Sequence, residues 1–157
     1  MLHSGGDEPD FVLIGISCAD DQYRVTSIVS DLLGITLRLS DYVPFNLKSG
    51  KLFSFSLYRH SEEALALEYY LLPNTSNFEQ PGTDQAPSGD LFSGQEIDES
   101  TRLIRELPKT DYFLMLKGEM KEHYQFRVLQ LLRDSDDFTK VQVIDPLTLQ
   151  SRNNLLF

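Results

Sequence analysis

Tyr112-Phe-Leu-Met-Leu-Lys117 is the stretch on which the fold turns. Its five apolar side chains, stopped by Lys117 and Gly118, predict a strand. Directly after it, Met120, Tyr124, Val128, Leu131 and Leu132 fall on one face of a helix that ends near Arg133. Asp134-Ser-Asp-Asp137 makes a turn. Val141 and Val143, with Phe138 ahead of them, lead a last strand into Asp145-Pro146. The unit is therefore strand, helix, strand.

The front of the chain repeats that order. Phe11-Val-Leu-Ile-Gly-Ile-Ser17 is an apolar run too short for a buried helix, bounded by Pro9-Asp10 and Asp20-Asp21, and fits a buried strand. Val25, Ile28, Val29, Leu32 and Leu33 follow at the spacing of one helical face. Asp20 or Asp21 can cap the start by accepting from free backbone N–H groups, and Gly34 suits a left-handed stop. Ile35, Leu37 and Leu39 then alternate with Thr36, Arg38 and Ser40, as in a half-buried strand. Two such halves resemble a ferredoxin-like fold.

Between the halves, after a turn around Pro44 and Gly50, Phe53, Phe55 and Leu57 alternate with Ser54, Ser56 and Tyr58. A second strand spans Leu65–Leu72, and the polar link Arg59–Glu63 makes the pair a hairpin. Its polar face predicts a sheet open on that side to solvent or to a partner. From Pro73 to Ser100 come 28 residues with three prolines and three glycines, too long for an ordinary loop in a compact domain and read as a mobile insertion. The expected fold class is α+β: a mostly antiparallel sheet of about six strands with two main helices on one face. Residues 1–157 read as a single domain.

Composition limits the functions available. The chain has 157 residues, 41% hydrophobic and 24% charged, which are ordinary globular proportions. Its net charge of −10 is uneven: residues 1–100 hold 16 acids and five bases, residues 101–157 eight acids and nine bases. Nucleic acid is not an expected partner, because acidic surface repels phosphate and only Arg102, Arg105 and Lys109 form a short basic cluster, which fits a solvated helical turn. No apolar run reaches the roughly 18 residues of a membrane span. Met1–Asp10 carries acids and glycines where a signal peptide needs a basic start and an apolar stretch, and Cys18 is the one cysteine; both fit a cytoplasmic protein.

One segment is distinctive. Ile104-Arg105-Glu106, three residues, then Thr110-Asp111-Tyr112 resembles the signature of the bacterial IPExxxVDY family, with Arg105 in place of proline and Thr110 in place of valine. Phe113–Gly118, the Ile144-Asp145-Pro146 corner, the Asn154–Phe157 ending and the Phe11–Ser17 strand also look like that family. The resemblance covers most of the chain and is poor at residues 73–90. It implies no activity, because the family's function is unassigned. Loss of the proline leaves φ unfixed at position 105.

The signature residues have a structural explanation first. The Asp111 carboxylate can accept from N–H groups of the preceding turn, Tyr112 can bury its ring and keep its hydroxyl bonded, and Glu106 can pair with Arg102. A functional reading makes Glu106, Asp111 and Tyr112 ligand-binding groups at the rim of a pocket.

Other chemistry lacks its residues. Glu119-Met-Lys-Glu-His123 has Glu where a zinc-protease helix needs its first histidine, and Asp134-Ser-Asp-Asp137 runs into Phe138 and Thr139 where a calcium loop needs a ligand and a glycine. His3 and His60 stand apart from it. Cys18 lies beside Asp20 and Asp21, which oppose a thiolate. No phosphate cradle, nucleophile elbow or dinucleotide fingerprint occurs. No catalytic residue, metal or cofactor is therefore expected. The residues lead to a non-enzymatic interaction or regulatory domain that self-associates or binds a protein partner, with Phe53, Phe55, Leu155, Leu156 and Phe157 as its candidate interface; the two strand phenylalanines also fit a core, and the apolar tail fits docking either into its own core or into another subunit. The alternative is a small-molecule sensor or enzyme whose pocket lies between the sheet and residues 73–100.

Overall fold

A computed structural model describes residues 10–46, 52–76, 78–79 and 102–155. The run before Cys18 forms β1 (Val12–Ser17), whose alternate side chains are buried on opposite sides. Asp21 ends the turn after it, its carboxylate accepting from the Arg24 amide at 2.9 Å, and so starts α1 (Gln22–Leu33). Val25 and Val29 turn inward, and Gly34 closes the helix at φ 69°, its N–H donating to the Ser30 carbonyl.

Strands β2 (Arg38–Asn46), β3 (Leu52–Glu62) and β4 (Leu67–Pro73) follow, then the short β5 (Phe78–Glu79), β6 (Tyr112–Lys117), α2 (Lys121–Arg133) and β7 (Lys140–Ile144). Every pairing is antiparallel, in the order β2-β3-β4-β6-β1-β7, with β5 beside β3. Strands β6 and β7 are separated by β1, and β1 and β2 by β6 and the β3–β4 hairpin. The six-strand antiparallel sheet with two helices is the α+β architecture expected.

Alternation divides the apolar side chains between two cores. On the helix side, Val12, Ile14 and Ile16 meet Leu114 and Leu116 beneath Val25 and Val29 of α1 and Val128, Leu129 and Leu132 of α2. On the other side, Leu13, Phe55, Leu57, Phe113 and Met115 pack against Leu103, Ile104, Leu149 and Leu155. That second layer is irregular chain from the 103–110 segment and the C-terminal 3-10 turns at Pro146–Thr148 and Arg152–Leu155.

Several expectations change. The hairpin is not open on its polar face: Ser54 and Ser56 are buried, at 4% and 3% exposure. The predicted polar link at residues 59–63 is mostly strand. Arg59 stands opposite Tyr70 and His60 opposite Tyr69, and the chain turns instead at Glu63–Ala66. Cross-strand partners such as Glu68, 3.3 Å from the Arg59 guanidinium, keep these polar residues in the ladder. Pro44 lies within edge strand β2 rather than in a turn, a position that spares it a ladder donor. The helical turn expected around Arg102, Arg105 and Lys109 is instead a run of bends and turns, because the Leu103 and Ile104 amides bond to Asn74. Most of the expected insertion, residues 80–101, lies outside the described residues; Pro73 ends β4, and Phe78–Glu79 pairs with β3.

Candidate functional site

The signature residues gather where β4, β6, the β1–α1 turn and the C-terminal turns converge. Tyr112 opens β6, its ring buried against the helix-side core and its hydroxyl donating to the Asp20 carbonyl at 2.8 Å. Burial, followed by the Cys18, Asp111, Asp21 and Asp20 groups, pushes its phenol far above the ordinary tyrosine range. One residue earlier, the Asp111 carboxylate accepts from the Cys18 amide at 2.9 Å, and the Asp111 amide donates to the Ile16 carbonyl. The carboxylate therefore holds the β1–α1 turn, not its own preceding turn.

Glu106 lies on the surface and faces the chain's end. Its two oxygens accept from the Ser151 amide at 2.8 Å and the Ser151 hydroxyl at 2.7 Å. Burial opposes its charge, but the Ser151 hydroxyl and nearby backbone amides outweigh it and hold the carboxyl below its ordinary value. Glu106 is thus occupied by Ser151 rather than Arg102. Asp111 and Tyr112 hold the β1–α1 turn and Glu106 holds the C-terminal turn, two separate joints.

The residue that ties these joints together is Asn74, which the sequence reading missed. It is completely buried just beyond β4. Its side-chain N–H₂ donates to the Thr110 carbonyl at 2.8 Å and the Leu107 carbonyl at 3.0 Å, while its side-chain oxygen accepts from the Ile104 amide at 2.8 Å. Its own amide donates to the Asp111 carbonyl, and its carbonyl accepts from the Leu103 amide. Asn154 adds a side-chain bond to the Leu103 carbonyl at 2.6 Å. An irregular segment buried on a sheet needs such partners, since its backbone groups have no ladder. The only trace in the sequence is an asparagine behind a strand and a proline, a pattern shared with ordinary turns.

Other candidates are distributed as follows. Phe55 and Leu155 are both completely buried in the chain's own second core, so neither offers surface to a partner. Burial explains this: the tail folds back onto the sheet. Leu156, Phe157 and the Phe53 side chain lie outside the described residues. Cys18 is half-buried; burial first, then the carboxylates of Asp111, Asp20 and Asp137, raise its thiol above the ordinary range, against a lowering bond from the Asp20 backbone. Among the described residues no group of three His, Cys, Asp or Glu side chains could hold a metal, and no helix is long and apolar enough to cross a membrane.

Among the described residues, the sheet exposes large apolar side chains at its β2 edge. Strand β2 pairs only with β3 among the described strands, and Leu39 and Tyr42 are 49% and 45% exposed. A bulge between Leu39 and Asp41 twists the strand. Beside it lies a groove of about 350 Å³ lined by Asp41, Tyr42, Val43, Leu57, Arg59 and Tyr70, among others. The groove floor is ordered by charge: the Glu68 carboxylate accepts from the Tyr70 hydroxyl at 2.8 Å and pairs with Arg59, and the Lys117 ammonium lies 4.8 Å from the Tyr70 ring centre. The Tyr70 bond first, then Arg59 and Lys117, holds Glu68 below the ordinary carboxylate range against the effect of burial. No family model matches the chain, and no curated protein is similar to it.

Proposed function

We propose that the chain is a non-enzymatic interaction domain of the cytoplasm that pairs with a second copy of itself through β2. The resemblance of its 104–112 segment to the IPExxxVDY signature supports, as part of the same proposal, membership of that family. The observation that supports self-pairing is the exposed β2 edge with a groove at its side. Main-chain groups of an edge strand bind another strand, and an adjacent groove takes the side chains that alternate out of it. A second copy fits because Arg38 and Asp41 carry opposite charges on one strand. Antiparallel pairing about a two-fold axis brings Arg38 of each copy to Asp41 of the other. Pro44 limits how far the pairing extends, and a two-fold contact closes on itself instead of building a fibre.

Light scattering on the full chain across a concentration range tests the reading. The expected mass is that of a dimer, falling to a monomer at high dilution. A Leu39→Lys, Tyr42→Lys double variant is expected to stay monomeric with an unchanged circular dichroism spectrum. A native chain that is monomeric at every concentration overturns self-pairing.

A further inference from the structure

His60 lies in β3, with its two ring nitrogens committed to different parts of the fold. Nε2 is 2.9 Å from a carboxylate oxygen of Glu62, at the end of the same strand. Nδ1 faces both polar groups of one residue in the α1–β2 link: the Thr36 N–H, 3.3 Å away, and the Thr36 carbonyl oxygen, 3.2 Å away. One nitrogen cannot serve both in one protonation state. A neutral ring that gives its Nε2 proton to Glu62 has a lone pair at Nδ1, and so accepts from the Thr36 amide. A charged ring carries a proton at Nδ1, which repels that amide and must be donated to the carbonyl.

We propose that His60 is a proton-operated latch on the α1–β2 link, gripping Thr36 by its N–H when neutral and by its C=O when charged. The link is short, with the Ile35 amide held by the Ser30 carbonyl and the Leu37 amide by the Ser30 hydroxyl at 3.1 Å. Thr36 is thus the one residue of Ile35–Leu37 whose backbone bonds depend on the imidazole. Beyond the link begins the β2 edge, whose first residue, Arg38, stands opposite Arg59. A change of grip at Thr36 therefore acts at the point where the chain enters its exposed edge. The inference concerns the link alone and holds whether or not β2 pairs with a second copy.

The groups around the ring come from three elements. The Glu62 carboxylate lies against Nε2 from β3 itself. From β4 the Tyr69 ring packs at 5.9 Å between centroids, a tilted contact. From α2, Arg127 and Tyr124 line a cavity of about 220 Å³ together with Glu62 and Tyr69. Imidazoles ordinarily change charge between about pH 5 and 8, so this is the range in which to look.

Nuclear magnetic resonance of the full chain, taken from about pH 8 to about pH 5, tests the latch. The expected result is a Thr36 amide whose shift follows the titration curve of the His60 ring. Its hydrogen exchange is expected to quicken on acidification, as the N–H loses its acceptor. His60→Gln, which can accept and donate without titrating, is expected to abolish the pH dependence at Thr36. A Thr36 amide that stays still while His60 titrates, or that moves equally in His60→Gln, overturns the latch.

Discussion

A single buried amide can replace a sheet ladder. Asn74 satisfies backbone groups of Ile104, Leu107 and Thr110 with one side chain, the Ile104 and Thr110 bonds being buried. Removing it leaves a buried amide and carbonyls without partners, each worth about 1–3 kcal/mol. Asn74→Ala is therefore expected to lower unfolding free energy by about 3 kcal/mol, read as a lower urea midpoint with an unchanged slope. Asn74→Asp is expected to do no better, because a carboxylate cannot donate to Thr110 and Leu107. Glu106 works at the same scale but on the surface. Its folded carboxyl is held below its ordinary value, so the stability it adds is present above the unfolded value of about 4.5 and is lost as pH falls through the lower folded value. Below about pH 4.5 the Ser151 amide is expected to exchange faster with solvent. In Glu106→Gln that acid-dependent step should vanish; if it persists, another carboxylate holds the tail.

The elements themselves differ in how visible they are beforehand. Helix α1 is legible because its cap, its apolar spacing and Gly34 all lie within 14 consecutive residues, Asp21 to Gly34. Strands β1 and β6 are equally plain, since so short an apolar run has few other forms. The Arg59–Glu62 end of β3 is hidden by its polar side chains, whose reason to stay in a strand is the partner strand β4. Leu103–Leu107 misleads for a related cause: its leucines and isoleucine look like a helical face, while the bonds that decide its shape come from Asn74, 30 residues earlier. The signature at 104–112 was readable as structural, but its partners Ser151, Cys18 and Asp20 were not, being chosen by tertiary contact. One close approach also escapes the sequence. Gly118, at φ 112°, sits against the Ala66 carbonyl in the β3–β4 turn, and a methyl group there would run into that oxygen. Gly118→Ala is expected to cost roughly 1–3 kcal/mol, combining overpacking with a strained φ. Ala66 itself holds a left-handed φ of 50°, so Ala66→Gly should leave stability level or slightly raised, by up to about 1 kcal/mol. Thermal melts of both variants check the pair, and an unperturbed Gly118→Ala would contradict the close contact.

At the scale of the whole molecule, the sheet is covered on both sides by unlike materials. One layer is two helices; the other is turns and chain end, anchored by Leu103, Ile104, Leu149 and Leu155. Burying each of those side chains contributes about 1.5–3 kcal/mol. Leu155→Ala is accordingly expected to cost about 2–5 kcal/mol and to leave the oligomeric mass as it was. A changed mass without lost stability would return the tail to an interface. The acidic net charge of −10 has no such particular role; it opposes non-specific contact between copies.

A layer without a ladder can also leave without one. The helices are locked by their own internal bonds and by the strands beneath, whereas the 102–110 segment and the C-terminal turns are held by a handful of side-chain grips. They form a natural unit of sub-global opening, a foldon that detaches while the sheet and helices persist. In that opened form Phe113 and Met115 lose their cover, so a trace population would present a sticky apolar floor to any neighbouring chain. The polar grips of Asn74, Glu106 and Asn154 are in this sense safeguards of solubility, acting long before global unfolding begins.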